Sequence, residues 1–366
     1  MLQGIRIIEI EGLGPAPFAS MMLADLGADV ICVHRKTSNG DLVPPYPIID
    51  RGKRSVTLDL KSDRDKETLL QLIKTADALV EGFRPGVMER LGLGPAICHA
   101  RNPALIYGRM TGWGQDSLLA HTAGHDLNYV ALSGALWYDA EPGTPPHPPA
   151  TLIGDIGGGA LYLVAGILAA LVARDSATDG ASAGCVVDSA IYDGSAHMMN
   201  LLMTLQQSGQ FTTTRGASLL DGPHWSRCYT CADGGNISVQ CLESQFYAEF
   251  LSLLDLSEDP QFSSQHDKEL WPVLAARLAG LFVQQPRDHW ASIFAGTDAC
   301  VTPVLSPEEA SNHPMNQRNT WVMGANGLQA APAPRFSGQE PWVAPPAPGR
   351  GQHTKEILEE LRQRRR

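Results

Sequence analysis

A histidine beside a glycine is the first feature of this sequence with the character of a catalytic group. His125 stands in the run AGHDLNY (residues 123–129), ahead of an apolar-periodic stretch. The pattern predicts that His125 starts a helix, whose positive end favours the neutral imidazole that a general base must carry. The alternative interpretation is a structural histidine at a helix end.

Asp155 is the second candidate, in the run LIGDIGGG (residues 152–159) directly before a long apolar stretch. Aspartate is a favoured N-cap residue, so the simplest interpretation is a helix cap. The three glycines that follow would leave backbone open to a closely approaching ligand. Asp155 is therefore either a cap or an acid/base group.

Other motifs carry less chemistry. Glu243 follows an apolar strand of a predicted hairpin, Tyr229–Cys241. The pair Cys228 and Cys231 forms a CxxC without a second pair, which indicates two strand-associated thiols and not a metal or redox site. The sequence contains no evident metal-ligand constellation and no GxSxG nucleophile elbow.

Basic residues are few in the first half of the chain, so their grouping is informative. They are Arg35, Arg51, Lys53, Arg54, Lys61, Arg84 and Arg90. Loops that follow parallel strands gather at one sheet edge, where we expect Arg35, Lys61 and Arg84. A phosphate-bearing ligand such as a nucleotide or CoA suits such a cluster. Ordinary solvated charge is the alternative.

The elements that position these residues alternate between strand and helix, which predicts an α/β fold with a parallel sheet. We expect strands at Ile5–Ile10, Asp29–Val33, Ser55–Leu60, Ala78–Val80 and Leu105–Tyr107, and helices at Phe18–Leu26, Lys66–Ala76 and Val186–Met203. The loop Gly12–Pro17 fails as a dinucleotide fingerprint, because Pro17 occupies the third glycine position.

Bulk properties restrict the class of protein. A length of 366 residues suggests about two domains. The net charge of −11 argues against a nucleic-acid partner. Seven cysteines and an N-terminus without a signal pattern favour a cytoplasmic location. The uncharged run Ile156–Ala173 is predicted to be a buried core helix, with no membrane as partner.

Several long motifs resemble one family. GHDLNYVALSGAL, LIGDIGGG, EGFRPGVMERLGLG, YGRMTGWGQ and GQHTKEIL are similar to segments of the α-methylacyl-CoA racemases, of the family III CoA-transferase (CaiB/BaiF) superfamily. The resemblance covers almost the whole chain. It implies an isomerase of lipid and fatty acid metabolism that epimerises 2-methylacyl-CoA thioesters by 1,1-proton transfer through an enolate, with no cofactor besides the CoA of its substrate.

The same resemblance implies the architecture. A Rossmann-like large domain would comprise residues 1–205 and 321–366, joined by a crossover linker (206–225) to a smaller α+β domain (226–320). Two subunits would form an interlaced homodimer. The active site would lie between the large domain of one subunit and the small domain of the other.

By the resemblance, His125 and Asp155 are the two bases, and Glu243 supports the histidine. The implied CoA contacts are Arg35, Leu58, Asp59, Leu60, Lys61, Gly82, Phe83, Arg84, Arg90, Gly124, Asp126, Leu127, Asn128 and Tyr129. The sequence departs from the racemase pattern in the proline-rich loop Glu141–Pro149 with its His147, and in Gly154, where an alanine is common.

The main alternative lies in the same superfamily. Family III CoA-transferases use an aspartate at the position of Asp155 as a nucleophile that forms an anhydride, whereas they usually lack a histidine at the position of His125. His125 therefore favours the racemase. A catalytically silent CoA-binding protein and a nicotinamide dehydrogenase are the alternatives from other classes.

Overall fold

A parallel sheet of six strands forms the centre of the structure, a computed structural model that describes residues 1–36, 48–176, 183–338 and 344–363. The strand order is β3-β2-β1-β4-β5-β6. The strands are β1 (Arg6–Ile10), β2 (Asp29–His34), β3 (Arg54–Thr57), β4 (Ala78–Glu81), β5 (Ile106–Thr111) and β6 (Val186–Ala190). The first strand, β1, lies in the middle of the sheet. The strands β2 and β3 extend the sheet on one side of β1, and β4, β5 and β6 extend it on the other. The connections therefore diverge at β1 and β4, and a crevice opens between the carboxyl ends of these two strands.

Helices cover both faces of the sheet. They are α1 (Pro15–Asp25), α2 (Asp63–Ile73), α3 (Val87–Arg90), α4 (Pro95–Arg101), α5 (Asp126–Ser133), α6 (Leu161–Asp175), α7 (Ile191–Met198) and, from the chain end, α13 (Thr354–Gln363). Side chains alternate along β1, so Ile7 packs with α1 and α6 while Ile8 packs on the opposite face with α2 and α13. The predicted α/β class is confirmed.

The sixth strand corrects one prediction. The run Val186–Met203 was expected to be a single helix, but Val186–Ala190 pairs in parallel with β5, and the helix α7 starts only at Ile191. The branched residues Val186 and Val187 suit a strand, and no turn residue separates that strand from the helix. Smaller shifts are that β3 ends at Thr57 and that α1 starts at Pro15, a favoured first helical residue.

The segment Leu152–Ala160 winds more widely than an α-helix. The N–H of Ile156 donates to the carbonyl of Thr151, five residues earlier, at 3.0 Å. A Cβ on Gly158 would lie 2.5 Å from Ser195 Oγ. The glycines therefore let this segment pack closely on α7, and Gly158 and Gly159 are buried and not open to a ligand. Wide turns of this kind are frequent at functional sites.

The wide segment continues into α6 as one apolar helix, Leu152–Asp175, of 24 residues. By length and composition it could cross a membrane, and 39% of its most apolar window is buried. Leu163, Val164, Ile167 and Leu171 pack on the sheet as part of the core. Its inner face is therefore a core face, as predicted.

The chain divides into two compact units. The first comprises Met1–Ala135, Pro148–Met198 and Gln317–Arg366, and the second Leu136–His147 and Met199–Asn316. The segment Leu136–His147 was assigned from the sequence to the large domain. It belongs to the second unit because Trp137 donates to the carbonyl of Thr213 at 2.7 Å and Tyr138 packs on Phe211.

The second unit has its own sheet and core. Three antiparallel strands have the order β7-β8-β9, with β7 at Ser226–Thr230, β8 at Asn236–Gln240 and β9 at Val301–Pro303. The hairpin predicted at Tyr229–Cys241 is confirmed. The helices are α8 (Asn200–Gln207), α9 (Ser244–Leu253), α10 (Trp271–Phe282), α11 (Arg287–Phe294) and α12 (Pro307–Asn312). Trp225, Phe250 and Phe282 are buried at its centre.

The C-terminal region returns to the first unit. A hairpin of β10 (Trp321–Gly324) and β11 (Gly327–Ala330) precedes a second proline-rich run, residues 331–351 of the sequence, and α13 buries Ile357 and Leu361 in the core. Parts of this region, residues 339–343 and 364–366, lie outside the described residues. The first unit therefore contains both the N-terminal and the C-terminal regions of the chain.

Candidate active site

A cavity of about 220 Å³ lies at the crevice between β1 and β4, within the first unit. The loops after β1, β4 and β5 form its walls, together with the start of α5 and the wide helical segment. The lining includes Leu13, Gly14, Pro15, Gly82, Phe83, Arg84, Thr111, Gly112, Trp113, Ala123, Gly124, His125, Tyr129, Asp155 and Ile191. In open α/β sheets ligands bind at this switch point.

His125 occupies the N-cap of α5, as predicted. Its backbone N–H donates to Oδ1 of Asn128 at 3.0 Å, which fixes the chain direction into the helix. Its side chain is exposed at the cavity. Among the described residues no hydrogen bond engages the N–H of Asp126 or Leu127, in the first turn of the helix. These two donors are available to a developing negative charge.

Asp155 lies inside the wide helical segment, not in front of it. The expectation that it caps a helix is therefore wrong, because the helical turns begin at Leu152. Its N–H donates to Oδ1 of Asp126 at 2.7 Å. A Cβ on Gly14 would lie 3.5 Å from its Oδ2, so a glycine backbone faces this carboxyl across the cavity.

The environment of Asp155 favours its protonated form. Burial raises the pKa of its carboxyl to about 6, the negative charge of Asp126 adds to the rise, and His125 opposes it. A group with this pKa can hold and release a proton near neutral pH. Asp155 can therefore exchange a proton in the cavity that it shares with His125.

Two aromatic rings form a wall of the cavity. Trp113 and Tyr129 meet edge to face with 4.7 Å between ring centroids, and the hydroxyl of Tyr129 donates to the carbonyl of Gly124. A Cβ on Gly112 would overlap the Tyr129 ring at 2.1 Å. Trp113 and Gly14 were not predicted as site residues. Trp113 follows β5 at the edge where ligands bind, and that position could have indicated it.

The basic residues separate into two groups. Arg51, Lys53 and Arg54 form ion pairs with Asp25, Glu9 and Asp29, respectively. Arg35, Lys61, Arg84 and Arg90 are exposed and have no ion pair among the described residues. The second group is therefore free to bind an anionic ligand.

The predicted CoA contacts follow the carboxyl edge of the sheet. Gly82, Phe83, Arg84, Gly124 and Tyr129 line the cavity. Arg35 and the run 58–61 lie beyond the ends of β2 and β3, which are level because His34 pairs with Thr57. The side chain of Leu58 is buried in the core, so only its backbone can contact a ligand.

The other predicted contacts lie on short helices. Arg90 is at the end of α3, and Asp126, Leu127 and Asn128 form the first turn of α5. The carboxylate of Asp126 is occupied by the N–H of Asp155.

Glu243 lies in the second unit, as the exposed N-cap residue of α9. Cys228 and Cys231 are free thiols, one exposed and the other buried. In the part of the chain that the structure describes, no three His, Cys, Asp or Glu side chains are grouped to hold a metal ion.

Comparisons with known proteins agree along the chain. The model of CoA-transferase family III matches residues 2–354. Alpha-methylacyl-CoA racemase of Mus musculus is 40% identical and that of Homo sapiens 38%, each alignment covering 98% of this chain and 93% of the relative. The crystal structure of Rv3272 from Mycobacterium tuberculosis superposes with a TM-score of 0.79 at 26% identity, covering 97% of this chain and 98% of that one.

Proposed function

The chain belongs to CoA-transferase family III, and from that premise we propose that it is a racemase of 2-methylacyl-CoA thioesters. The observation that carries the proposal is that His125 and Asp155 line one cavity at the crevice of the sheet. Relatives that are 38–40% identical over nearly the full length are named alpha-methylacyl-CoA racemase, which supports the same chemistry here.

The proposed reaction moves one proton off the α-carbon and another one on. Neutral His125 removes the α-proton, and the electron pair of the C–H bond passes into an enolate. Protonated Asp155 then delivers a proton to the opposite face, which leaves an imidazolium and a carboxylate. The reverse reaction exchanges these roles, and exchange with solvent resets the pair. A pKa of about 6 for Asp155 suits both directions.

The enolate oxygen needs its own stabilisation, since the α-hydrogen of a thioester is only weakly acidic. The N–H groups of Asp126 and Leu127 at the positive end of α5 are suited to receive it. No cofactor is required beyond the CoA carried by the substrate. Arg84 would bind a CoA phosphate at the cavity, and Arg35 and Lys61 would extend the cationic edge.

We also propose that two copies interlace and that the partner subunit's Glu243 orients the imidazole of His125. The outer face of α6 supports a second copy as occupant: it presents an exposed apolar stripe of Leu161, Ala165, Ala169 and Val172. Uncovered apolar surface of this kind is typical of association sites. A carboxylate that accepts from one ring nitrogen would fix the tautomer of the histidine.

The competing function is CoA transfer, in which the carboxylate of Asp155 attacks a thioester and forms an anhydride. That reaction requires an ionised Asp155 and has no use for the base His125. The presence of His125 in the same cavity as Asp155 therefore favours proton transfer.

One incubation separates the two reactions. A single epimer of a 2-methylacyl-CoA, kept with the protein in heavy water, should gain α-deuterium and become a mixture of epimers. Transfer of CoA to an added carboxylic acid, with an adduct on Asp155 and no α-deuterium, would overturn the racemase in favour of the transferase.

A further inference from the structure

The backbone N–H of Asp155 is bound by the side chain of Asp126, and that side chain has no role of its own in the two-base reaction. We propose that Asp126 is a positioning residue whose carboxylate holds Asp155 at the cavity and keeps it a proton donor. The proposal rests on the proposed racemase function and deepens it, because it assigns a task to a side chain expected only to contact CoA.

The geometry joins the two halves of the site. Oδ1 of Asp126 accepts the N–H of Asp155 at 2.7 Å. Asp126 follows His125 directly in the chain, at the first position of α5, while Asp155 lies in the wide helical segment. One carboxylate therefore links the element that carries the base to the element that carries the acid.

The preceding residue makes the approach possible. A Cβ on Gly154 would stand 2.3 Å from Oδ1 of Asp126 and 2.6 Å from Cγ2 of Val130. The backbone of the wide segment therefore comes closer to α5 than any side chain would permit. This close approach explains why this chain has glycine at position 154, where alanine is common in the family.

Charge acts in the same direction as geometry. The negative charge of Asp126 raises the pKa of Asp155, and His125 lowers it. Tyr129 is the other titratable group of α5 that interacts with Asp155. The remaining neighbours contribute little: on α7, Asp193 and His197 are exposed and interact with Asp188 and Tyr162, respectively.

The other packed element adds no charge. Helix α1 faces Asp155 with the backbone of Gly14, and its acidic residue Asp25 pairs with Arg51. Asp126 is therefore the negative group that acts on Asp155 from the described elements around it.

Two substitutions separate position from charge. Asp126→Asn keeps an oxygen that can accept the N–H but removes the negative charge. For the epimer whose α-proton His125 removes, Asp155 must be protonated, so the basic-side midpoint of the kcat/KM profile should then move to lower pH and activity near neutrality should fall. Asp126→Ala removes the acceptor as well, and misplacement of Asp155 should lower kcat by about 10²-fold.

The matched control is Asp63→Asn, which removes an exposed carboxylate from the first turn of α2. It should leave the pH profile unchanged. If Asp126→Asn leaves the midpoint in place, or if Asp126→Ala matches wild type in kcat, the proposal is overturned. Thermal unfolding of both variants identifies any loss caused by misfolding.

A second readout does not depend on racemisation. An NMR titration of the Asp155 carboxyl, assigned by its disappearance in Asp155→Asn, should show a midpoint that falls in Asp126→Asn. A falling midpoint in a protein that does not exchange α-protons would sustain the role of Asp126 while the racemase fails. An unchanged midpoint in a protein that racemises would overturn the role of Asp126 alone.

Discussion

The ammonium nitrogen of Lys53 lies 2.7 Å from Oε2 of Glu9, and the two side chains are 0% and 1% exposed. Glu9 is on the central strand β1, and Lys53 directly precedes β3. The two opposite charges compensate each other inside the first unit, so the ammonium group of Lys53 is not available to bind a ligand. Three of the basic residues grouped from the sequence, Arg51, Lys53 and Arg54, have such structural partners.

Replacing Lys53 by methionine should destabilise the protein by about 1–3 kcal/mol, because Glu9 loses its buried partner and, with a pKa already raised to about 7 by burial, must take up a proton. Urea unfolding at neutral pH measures the loss. Lys66→Met is the control, since Lys66 pairs with the exposed Asp63 and its replacement should have little effect on stability. Equal losses in the free energy of unfolding for the two substitutions would show that the buried pair stabilises the protein no more than the surface pair does.

Replacing Asp155 by asparagine should stabilise the folded protein at neutral pH while abolishing racemisation. Its folded pKa of about 6 exceeds the unfolded value of about 3.9. The contribution of Asp155 to stability is therefore greatest below about pH 4 and declines as the pH rises through about 6. We expect a gain of about 1–2 kcal/mol at neutral pH, after allowance for solvent screening.

Urea unfolding of Asp155→Asn at neutral and at acid pH checks this sign, since the gain should vanish in acid. Asp63→Asn should show no gain, because Lys66 lowers the pKa of Asp63. If Asp155→Asn is less stable than wild type at neutral pH, the ionised carboxylate of Asp155 does not destabilise the folded protein, and the prediction is wrong.

Replacing Arg84 by alanine should raise KM for the acyl-CoA by roughly tenfold or more and leave kcat nearly unchanged, since a phosphate contact is made equally in the ground and transition states. Steady-state kinetics give both constants. Arg101→Ala is the control, because Arg101 pairs with Glu67 on the surface. A fall in kcat with unchanged KM would mean that Arg84 acts on the reacting atoms instead.

Mixed dimers test the proposed assembly. Subunits that carry His125→Ala and Glu243→Ala should each be impaired alone but regain activity when co-expressed. In an interlaced dimer one of the two sites of the mixed species then receives both intact residues. Activity of the purified mixed species measures the recovery. No recovery would show that His125 and Glu243 act from the same chain or do not act together.

The secondary structure could be predicted from the sequence where a segment has the pattern of apolar residues of either a strand or a helix throughout its length. The strands β1, β2 and β4 are short apolar runs that alternate with helices, and their parallel pairing follows from that alternation. The strand β6 was missed because Val186–Ala190 runs into α7 without a turn residue. The wide turn at Leu152–Ala160 was also missed, because a helical pattern does not reveal which carbonyl each N–H reaches.

The site was predictable in its residue types more than in their surroundings. His125 was expected at a helix start and is found there. Asp155 was expected as either a cap or an acid, and only the three-dimensional packing excludes the cap. The link from Asp126 to Asp155 spans 29 positions and depends on the absence of a side chain at Gly154. Sequence spacing carries no signal for such a contact.

The most direct test of the two-base account follows deuterium into each pure epimer separately. Wild type should incorporate α-deuterium from heavy water and invert either epimer. His125→Ala and Asp155→Asn should both lose inversion by about 10²–10⁴-fold. Each variant should retain slow exchange with one epimer only, and the two variants should differ in which epimer that is. Loss of exchange with both epimers in one variant, together with unimpaired inversion in the other, would contradict a base on each face of the substrate.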